Sequence, residues 1–319
     1  LGGAEEFETT LASVLQNRPA DCEVLVVHRG SYEDPYALAG EVRFLQAEKD
    51  SVVGQINRAL REAAGTVVHV LRCGLETTEG WADAALPHFA NPEVAAVAPL
   101  VLADDRQRWV AAGIRWTRGG RRQIVADPRI AQAGHGRLRA SLLGPTLLAG
   151  FYRREVLCAL DGFDPRVGDC LADVEMALAL RDLEMRAVCE PACQLIQVEP
   201  PVDIPSTPFR LGWGEEHLFW RSVPRPLEPT SLAWHLLTAA GAVLHGALRG
   251  AVRHAAQELA GRLTATCNLA QVSQHRQRLA RAAQRLDDVA TLRSRTQRRA
   301  DAMEAGQTAW PEGTHRRAA

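Results

Sequence analysis

Three observations in this sequence predict an α/β fold built on a mostly parallel sheet. Short apolar runs alternate with amphipathic helical stretches through the first two hundred residues, the pattern of βαβ units. Hydrophobic residues make up 46% and charged residues 24% of 319, enough to bury the core of one large domain, with or without an appendage. The strings G-x-G-x-x-G, G-x-x-x-x-G-K-[ST] and G-x-S-x-G are all missing, so dinucleotide-binding, P-loop and serine-hydrolase versions of such a sheet are not expected.

The elements follow in order. Residues 6–16 place Phe7, Leu11, Val14 and Leu15 on one helical face, and Asn17-Arg-Pro-Ala-Asp breaks the helix. Glu23–Val27 is an apolar run of the kind buried in a parallel sheet, and His28-Arg-Gly-Ser closes it. Val42–Leu45 is a second strand. Val52–Ala64 is a helix with Val53, Ile56, Leu60 and Ala63 inward and Gly65 at the C-cap position. Thr66–Leu71 is a third strand, Thr78–Phe89 a helix, and Val94–Pro99 a fourth strand.

Periodicity fades from Ala103 to Gly144, where Trp109, Trp116 and Gly119-Gly120-Arg121-Arg122 suggest short strands and loops of the sort that carry binding. Arg153–Leu160 then reads as a short helix, Gly162–Pro165 as a turn and Ala172–Leu183 as a strong helix. Arg186–Cys189 and Leu195–Val198 read as two strands. The domain organisation expected is a body over 1–200, a Pro-rich wrap over 201–229, a helical region over 230–300 and a disordered tail over 301–319. No internal repeat is visible.

Charge limits the partners. Thirty-seven basic and thirty-eight acidic residues give a net charge of −1, too little for a global field that would attract nucleic acid. The charge is uneven, however: residues 249–319 hold 13 arginines and 6 acids, a net of +7, which leaves −8 on the first 248. Pro229–Leu248 is uncharged over 20 residues, leaving open a membrane span, a helix packed on the body, or a helix lying on a membrane surface, and 230–300 is the candidate for peripheral membrane contact. Seven scattered cysteines without a C-x-x-C pair argue against a disulfide framework or a structural zinc site. With no basic-then-apolar leader in Leu1–Thr10, the expected location is cytoplasmic, with peripheral contact on the inner membrane face.

Six segments together resemble the donor-binding half of a GT-A glycosyltransferase of family 2 type, over roughly residues 4–200. They are Glu8–Leu15, similar to the helix after the family's first strand; Glu23–Ser31, similar to a strand ending in D-D-G-S; and Asn57–Gly65, similar to N-x-G-x-x-x-A-x-G. Val68–Trp81 lies where D-x-D and P-G-W belong, Leu160-Asp-Gly-Phe-Asp resembles G-G-F-D, and Ala172–Arg181 resembles E-D-x-D-L-x-x-R-x-R. The family's first strand is not in the sequence, which starts just after its place.

The resemblance implies a nucleotide-sugar donor, a hydroxyl acceptor (glycan or lipid-linked) and transfer with inversion. It places His28, Gly30, Ser31 and Asn57 on the donor nucleotide. Such enzymes usually hold the diphosphate through a divalent cation, Mn or Mg, but Arg72 and Gly74 stand where the two metal-binding aspartates belong. Two replacements follow: Arg72 neutralising the diphosphate directly, by bidentate hydrogen bonds, or an atypical metal site using Glu76. Their plain alternatives are an arginine facing water or paired with Glu76, and a solvated loop acid. His28 is either a base-stacking group or a surface residue.

On the acceptor side, Asp173 matches the family's general base, and as a helix-start acid it is equally explained by the helix dipole. Glu175 retains an acid there. His217, followed by Phe219 and Trp220, either covers the acceptor cleft or docks the linker. The polymer-synthase motif Q-x-x-R-W is missing. A catalytically silent relative that serves as a scaffold or a glycan- or partner-binding module is the alternative function.

Overall fold

Val94–Ala103 is apolar for ten residues except for Pro99, and every one of them is buried; it forms the central strand, β5, of the computed structural model. The structure describes residues 4–28, 30, 36–47, 51–126, 142–199, 206–223, 228–267 and 274–291. Before β5 come α1 (Ala4–Asn17), β1 (Val24–His28), β2 (Val42–Gln46), α2 (Val52–Glu62), β3 (Val67–Leu71), β4 (Leu75–Thr77) and α3 (Trp81–Ala85). After it come β6 (Trp109–Ala111), β7 (Ile114–Trp116), β8 (Arg122–Ile124), β9 (Ala149–Arg153), α4 (Arg154–Ala159), α5 (Ala172–Asp182) and β10 (Arg186–Gln197).

The main sheet has the order β3-β9-β5-β10-β4, with β6 added to β5; β1–β2 and β7–β8 are separate ladders. The sheet is mixed rather than mostly parallel. β1–β2 and β5–β10 are parallel, but β9 runs antiparallel to both β3 and β5, and β4 runs antiparallel to β10. The two strands read at 186–189 and 195–198 are one strand, because a register shift between Glu190 and Gln194 absorbs the proline at 191 and lets pairing with β5 resume.

Helices cover the sheet. α2, α4 and α5 share a core with Val53, Leu60, Tyr152, Leu157, Phe163 and Met176, while α3 packs Trp81 and Ala85 around Leu75, Val97 and Phe151. α1 is stitched to β4 by Asn17 Nδ2 donating to the Thr77 carbonyl (2.9 Å) and the Thr77 amide donating to Ser13 Oγ (3.1 Å).

The Pro-rich wrap differs most from its expectation. It contains a 15-residue helix, α6 (Pro208–Ser222), capped by Thr207 Oγ1, with Leu218 and Phe219 fully buried. α7 (Pro229–Leu248) coincides with the uncharged run, and α8 (Val252–Cys267) follows. No helix among the described residues is long and apolar enough to cross a membrane. The polar helix α9, residues 274–291, belongs to the body: Leu279, Ala282 and Leu286 join the α2/α4/α5 core. Its Arg278 and Arg285 donate to the carbonyls of Leu160, Gly162 and Ala159, acceptors at the end of α4 that lack helical partners. Part of the basic C-terminal charge is therefore internal structure. Residues 301–319 lie outside the described residues.

Candidate functional site

The site gathers where β3, β9 and α5 meet. Asp173 lies in the first turn of α5, and its side chain is 1% exposed. Oδ1 accepts from the Val174 amide (2.8 Å) and Oδ2 from the Leu147 amide (3.4 Å). Arg122, on β8, closes over the same carboxylate: Nε lies 3.0 Å from both oxygens and Nη2 2.6 Å from Oδ2. Burial opposes the Arg122 charge, but Asp173 outweighs it and holds the guanidinium pKa above its ordinary value. The Tyr152 phenol is pushed well above its ordinary range, by burial first and then by the Asp173 charge.

Next along the chain, the Leu148 carbonyl accepts from the Arg72 amide at 3.0 Å. Asp173 and Arg72 are thus tied to adjacent residues of one backbone segment, Leu147–Leu148. Arg72 follows the last residue of β3 and is half-buried. Gly74 turns the chain into β4 with φ +89°; its amide donates to Thr10 Oγ1 (3.0 Å), and a Cβ there would lie 3.1 Å from the Glu199 carbonyl oxygen. A side chain at 74 is therefore strained on both counts. Glu76 sits in β4 opposite Ile196, between buried Leu75 and Thr77. Its alternation with them puts it on the other face of the strand.

The remaining expected residues fall elsewhere. His28 ends β1 and meets Phe44 edge-on at 6.3 Å between ring centroids. Gly30 has φ +75° and nothing within 4 Å of a would-be Cβ. Ser31 lies outside the described residues. Asn57 is a brace: its Nδ2 donates to the Phe163 carbonyl and its Oδ1 accepts from the Phe163 amide, both at 2.8 Å. Gly162, with φ +80°, leaves room for it. The two family-like segments around Asn57 and Gly162 are thus joined to each other.

Glu175 is not beside Asp173. Two helical residues on, it points about 200° round α5, fully buried, and accepts from Arg221 and Arg278 at 2.8 Å each. His217 belongs to the same side of the molecule. Its ring stacks on Trp213 at 4.9 Å, and burial, followed by the charges of Arg221 and Arg166, lowers its pKa. Glu175 is enclosed by the arginines of α6 and α9, whereas His217 is half-buried.

Sequence reasoning missed Arg122, the residue in closest contact with Asp173. It also missed what holds Arg122's hairpin, β7–β8. His235 Nδ1 lies 3.0 Å from the Gly119 carbonyl and Thr238 Oγ1 donates to it at 2.9 Å, while Arg121 pairs with Glu215 at 2.6 Å. The only signal available was the Gly119-Gly120-Arg121-Arg122 turn.

The residues at the expected cation position differ from a pair of carboxylates. A guanidinium stands at 72, position 74 resists a side chain, and no group of three or more His, Cys, Asp or Glu side chains able to hold a metal occurs among the described residues.

Comparison with known proteins gives the fold a context. No protein-family model matches the chain. It is similar to the O-antigen biosynthesis protein RfbC of Myxococcus xanthus, 29% identical over 148 residues, which are 45% of this chain and 12% of that protein. Among solved structures it is similar to the mannosyltransferase PcManGT from Pyrobaculum calidifontis in complex with GDP-Man and Mn2+, with TM-score 0.50 and 20% identity over 88% of this chain and 83% of that one. It is also similar to GalNAc-T7 with UDP, GalNAc and Mn2+, with TM-score 0.51 and 14% identity over 68% of this chain and 45% of that one. The chain has the GT-A-like fold of nucleotide-sugar glycosyltransferases.

Proposed function

We propose that the chain is a glycosyltransferase of family 2 type that acts in glycan biosynthesis, moving a sugar from a nucleoside-diphosphate donor to a hydroxyl acceptor with inversion. The observation that carries this reading is the tie of Asp173 and Arg72 to adjacent residues: the Asp173 carboxylate accepts from the Leu147 amide and the Arg72 amide donates to the Leu148 carbonyl, which brings the two residues to one locus. Asp173 takes the acceptor hydroxyl proton as the acceptor oxygen bonds to the anomeric carbon. The bond from that carbon to the diphosphate oxygen breaks, and the nucleoside diphosphate leaves with the electron pair. Arg72 neutralises the charge building on the diphosphate by bidentate hydrogen bonds. No step passes through a metal, because an arginine and a glycine stand at 72 and 74 in place of a pair of carboxylates. His28 and Gly30 border the nucleoside, and Asn57 fixes the Phe163 turn.

One observation favours a second reading, a catalytically silent relative that binds without turnover: Arg122 occupies both oxygens of Asp173 and covers it. For the transfer reading Arg122 must move before an acceptor reaches the base. Calorimetric titration of the full chain with UDP and GDP, each with and without Mn2+, followed by donor-sugar transfer assays, separates the two. Metal-independent nucleotide binding with transfer that disappears in Asp173→Asn supports the enzyme. Binding with no transfer supports the silent module, and no binding by folded protein overturns both donor-site assignments.

A further inference from the structure

Helix α7 is arranged with its polar side against the protein and its apolar side toward solvent. Ser231 and His235 are buried; the His235 ring stacks on Phe219 at 3.6 Å and its Nε2 lies 2.9 Å from Glu216. With Thr238 bonded to Gly119, these contacts fix the rotation of the helix. Outward stand Trp234, Leu237, Leu244 and Leu248 at 56, 64, 60 and 78% exposure, spaced three, seven and four residues apart on one stripe.

α8 continues the surface. Val252, Ala256, Leu259, Ala260 and Leu263 are exposed at helical spacing, while its opposite face packs closely on α6, with Gly261 against the Phe209 carbonyl. A surface this apolar, spread over two adjoining helices, is beyond what scattered exposed leucines explain.

Its charge identifies the occupant. Between Pro229 and Cys267 the single acidic residue is Glu258, and it is turned inward to Arg121 and Arg262. Arg249 and Arg253 are exposed. The outward face therefore carries apolar groups and cations with no acid between them, the combination that seats a helix in the headgroup region of an anionic bilayer. We infer that the outward face of α7 and α8 is a membrane-docking surface for anionic phospholipid, with the helices lying in the interface plane rather than crossing it. This inference does not depend on the donor site or on transfer activity.

The test is flotation of the full chain with vesicles of phosphatidylglycerol and phosphatidylcholine, and with phosphatidylcholine alone. Wild type is expected to float with the anionic vesicles, less so as salt rises. Leu237→Glu combined with Leu244→Glu, both solvent-facing and so compatible with the fold, should lower the partition coefficient by about tenfold or more; circular dichroism checks the fold. Brominated lipid should quench wild-type emission more than that of Trp234→Phe. Failure of wild type to float overturns the inference, as does unchanged partition of the double variant. Concentration-dependent self-association in sedimentation velocity that the double variant abolishes, without flotation, also overturns it and assigns the face to a second copy of the chain.

Discussion

Arg122 and Asp173, 51 residues apart in sequence, form a two-pronged ion pair in which the arginine lies over a carboxylate that is 1% exposed. The two partners do not stand alike. Arg122 keeps 26% of its side chain in solvent and can rehydrate when its partner goes; Asp173 cannot. Arg122→Ala should therefore destabilise the fold by about 3 kcal/mol, the cost of an uncompensated buried charge, and Asp173→Asn by less, about 1–2 kcal/mol. Urea unfolding of both variants checks the order. Equal costs, or a larger cost for Asp173→Asn, would mean that the pair does not shield the carboxylate as described.

Much of the body was legible because burial leaves a pattern. The unbroken run at Val94 reads as a central strand, and the alternation in Val52–Glu62 reads as a helix face. β9 escaped because Leu147-Leu148-Ala149-Gly150-Phe151 has neither period, being buried on both sides between β3 and β5. α6 escaped because Glu215 and Glu216 sit inward: paired with Arg121, Arg262 and His235, buried acids imitate a polar, solvated segment. The site was half legible. Asp173 and Arg72 stand at element ends, where position carries information. Arg122 gained its role from a contact across 51 residues, which no local spacing encodes. Glu175 looks available in sequence because nothing local announces the arginines of α6 and α9 that enclose it.

Restoring the two aspartates of the D-x-D pattern should not restore a metal site. Arg72→Asp is expected to weaken metal-independent nucleotide binding about tenfold or more, the loss of a charge-assisted contact. Gly74→Asp adds a Cβ at positive φ, 3.1 Å from the Glu199 carbonyl, and should cost about 1–2 kcal/mol of stability. The double variant should show no Mn2+-dependent binding in calorimetry. Recovery of Mn2+-dependent affinity would show that the β3–β4 turn rearranges readily and that Arg72 is an incidental replacement.

Acid should unfold the protein through two histidines, half-buried His69 and buried His275. His69 stacks on Phe151 at 3.8 Å, and its Nδ1 accepts from Trp81 Nε1 at 3.4 Å; burial pushes its pKa down to about 3. His275 is brought to about 2, by burial first and then by Arg221 and Arg278. Both bases have folded-state pKa values below their unfolded value near 6.5, so the neutral form is favoured in the native state. Their contribution is complete above about pH 6.5 and is lost as pH falls toward 3, at about 1.4 kcal/mol per pH unit for each. Denaturant midpoints measured from pH 7.5 to pH 4.5 should fall steadily, and His69→Phe should flatten the slope. An unchanged slope in that variant would mean that His69 is not the group being charged.

The close contact of α6 and α8 rests on two glycines and offers an internal comparison with a third. A Cβ at Gly212 would run into the Glu258 carbonyl, and one at Gly261 into the Phe209 carbonyl and the Trp213 amide; these are backbone atoms that no rotamer change moves aside. Gly212→Ala and Gly261→Ala should each cost about 2–3 kcal/mol by forcing the helices apart. The same separation strains the Arg262 pairs with Glu215, Glu216 and Glu258. Gly241, on the outward side of α7, has nothing within 4 Å of a would-be Cβ. There the only effect of alanine is on helix propensity, and Gly241→Ala should gain about 0.5–1 kcal/mol. Thermal unfolding of the three variants gives opposite signs if helix packing governs the first two. A uniform gain would mean that α8 does not lie against α6, and with it would go the fixed platform that turns the apolar face of α8 outward.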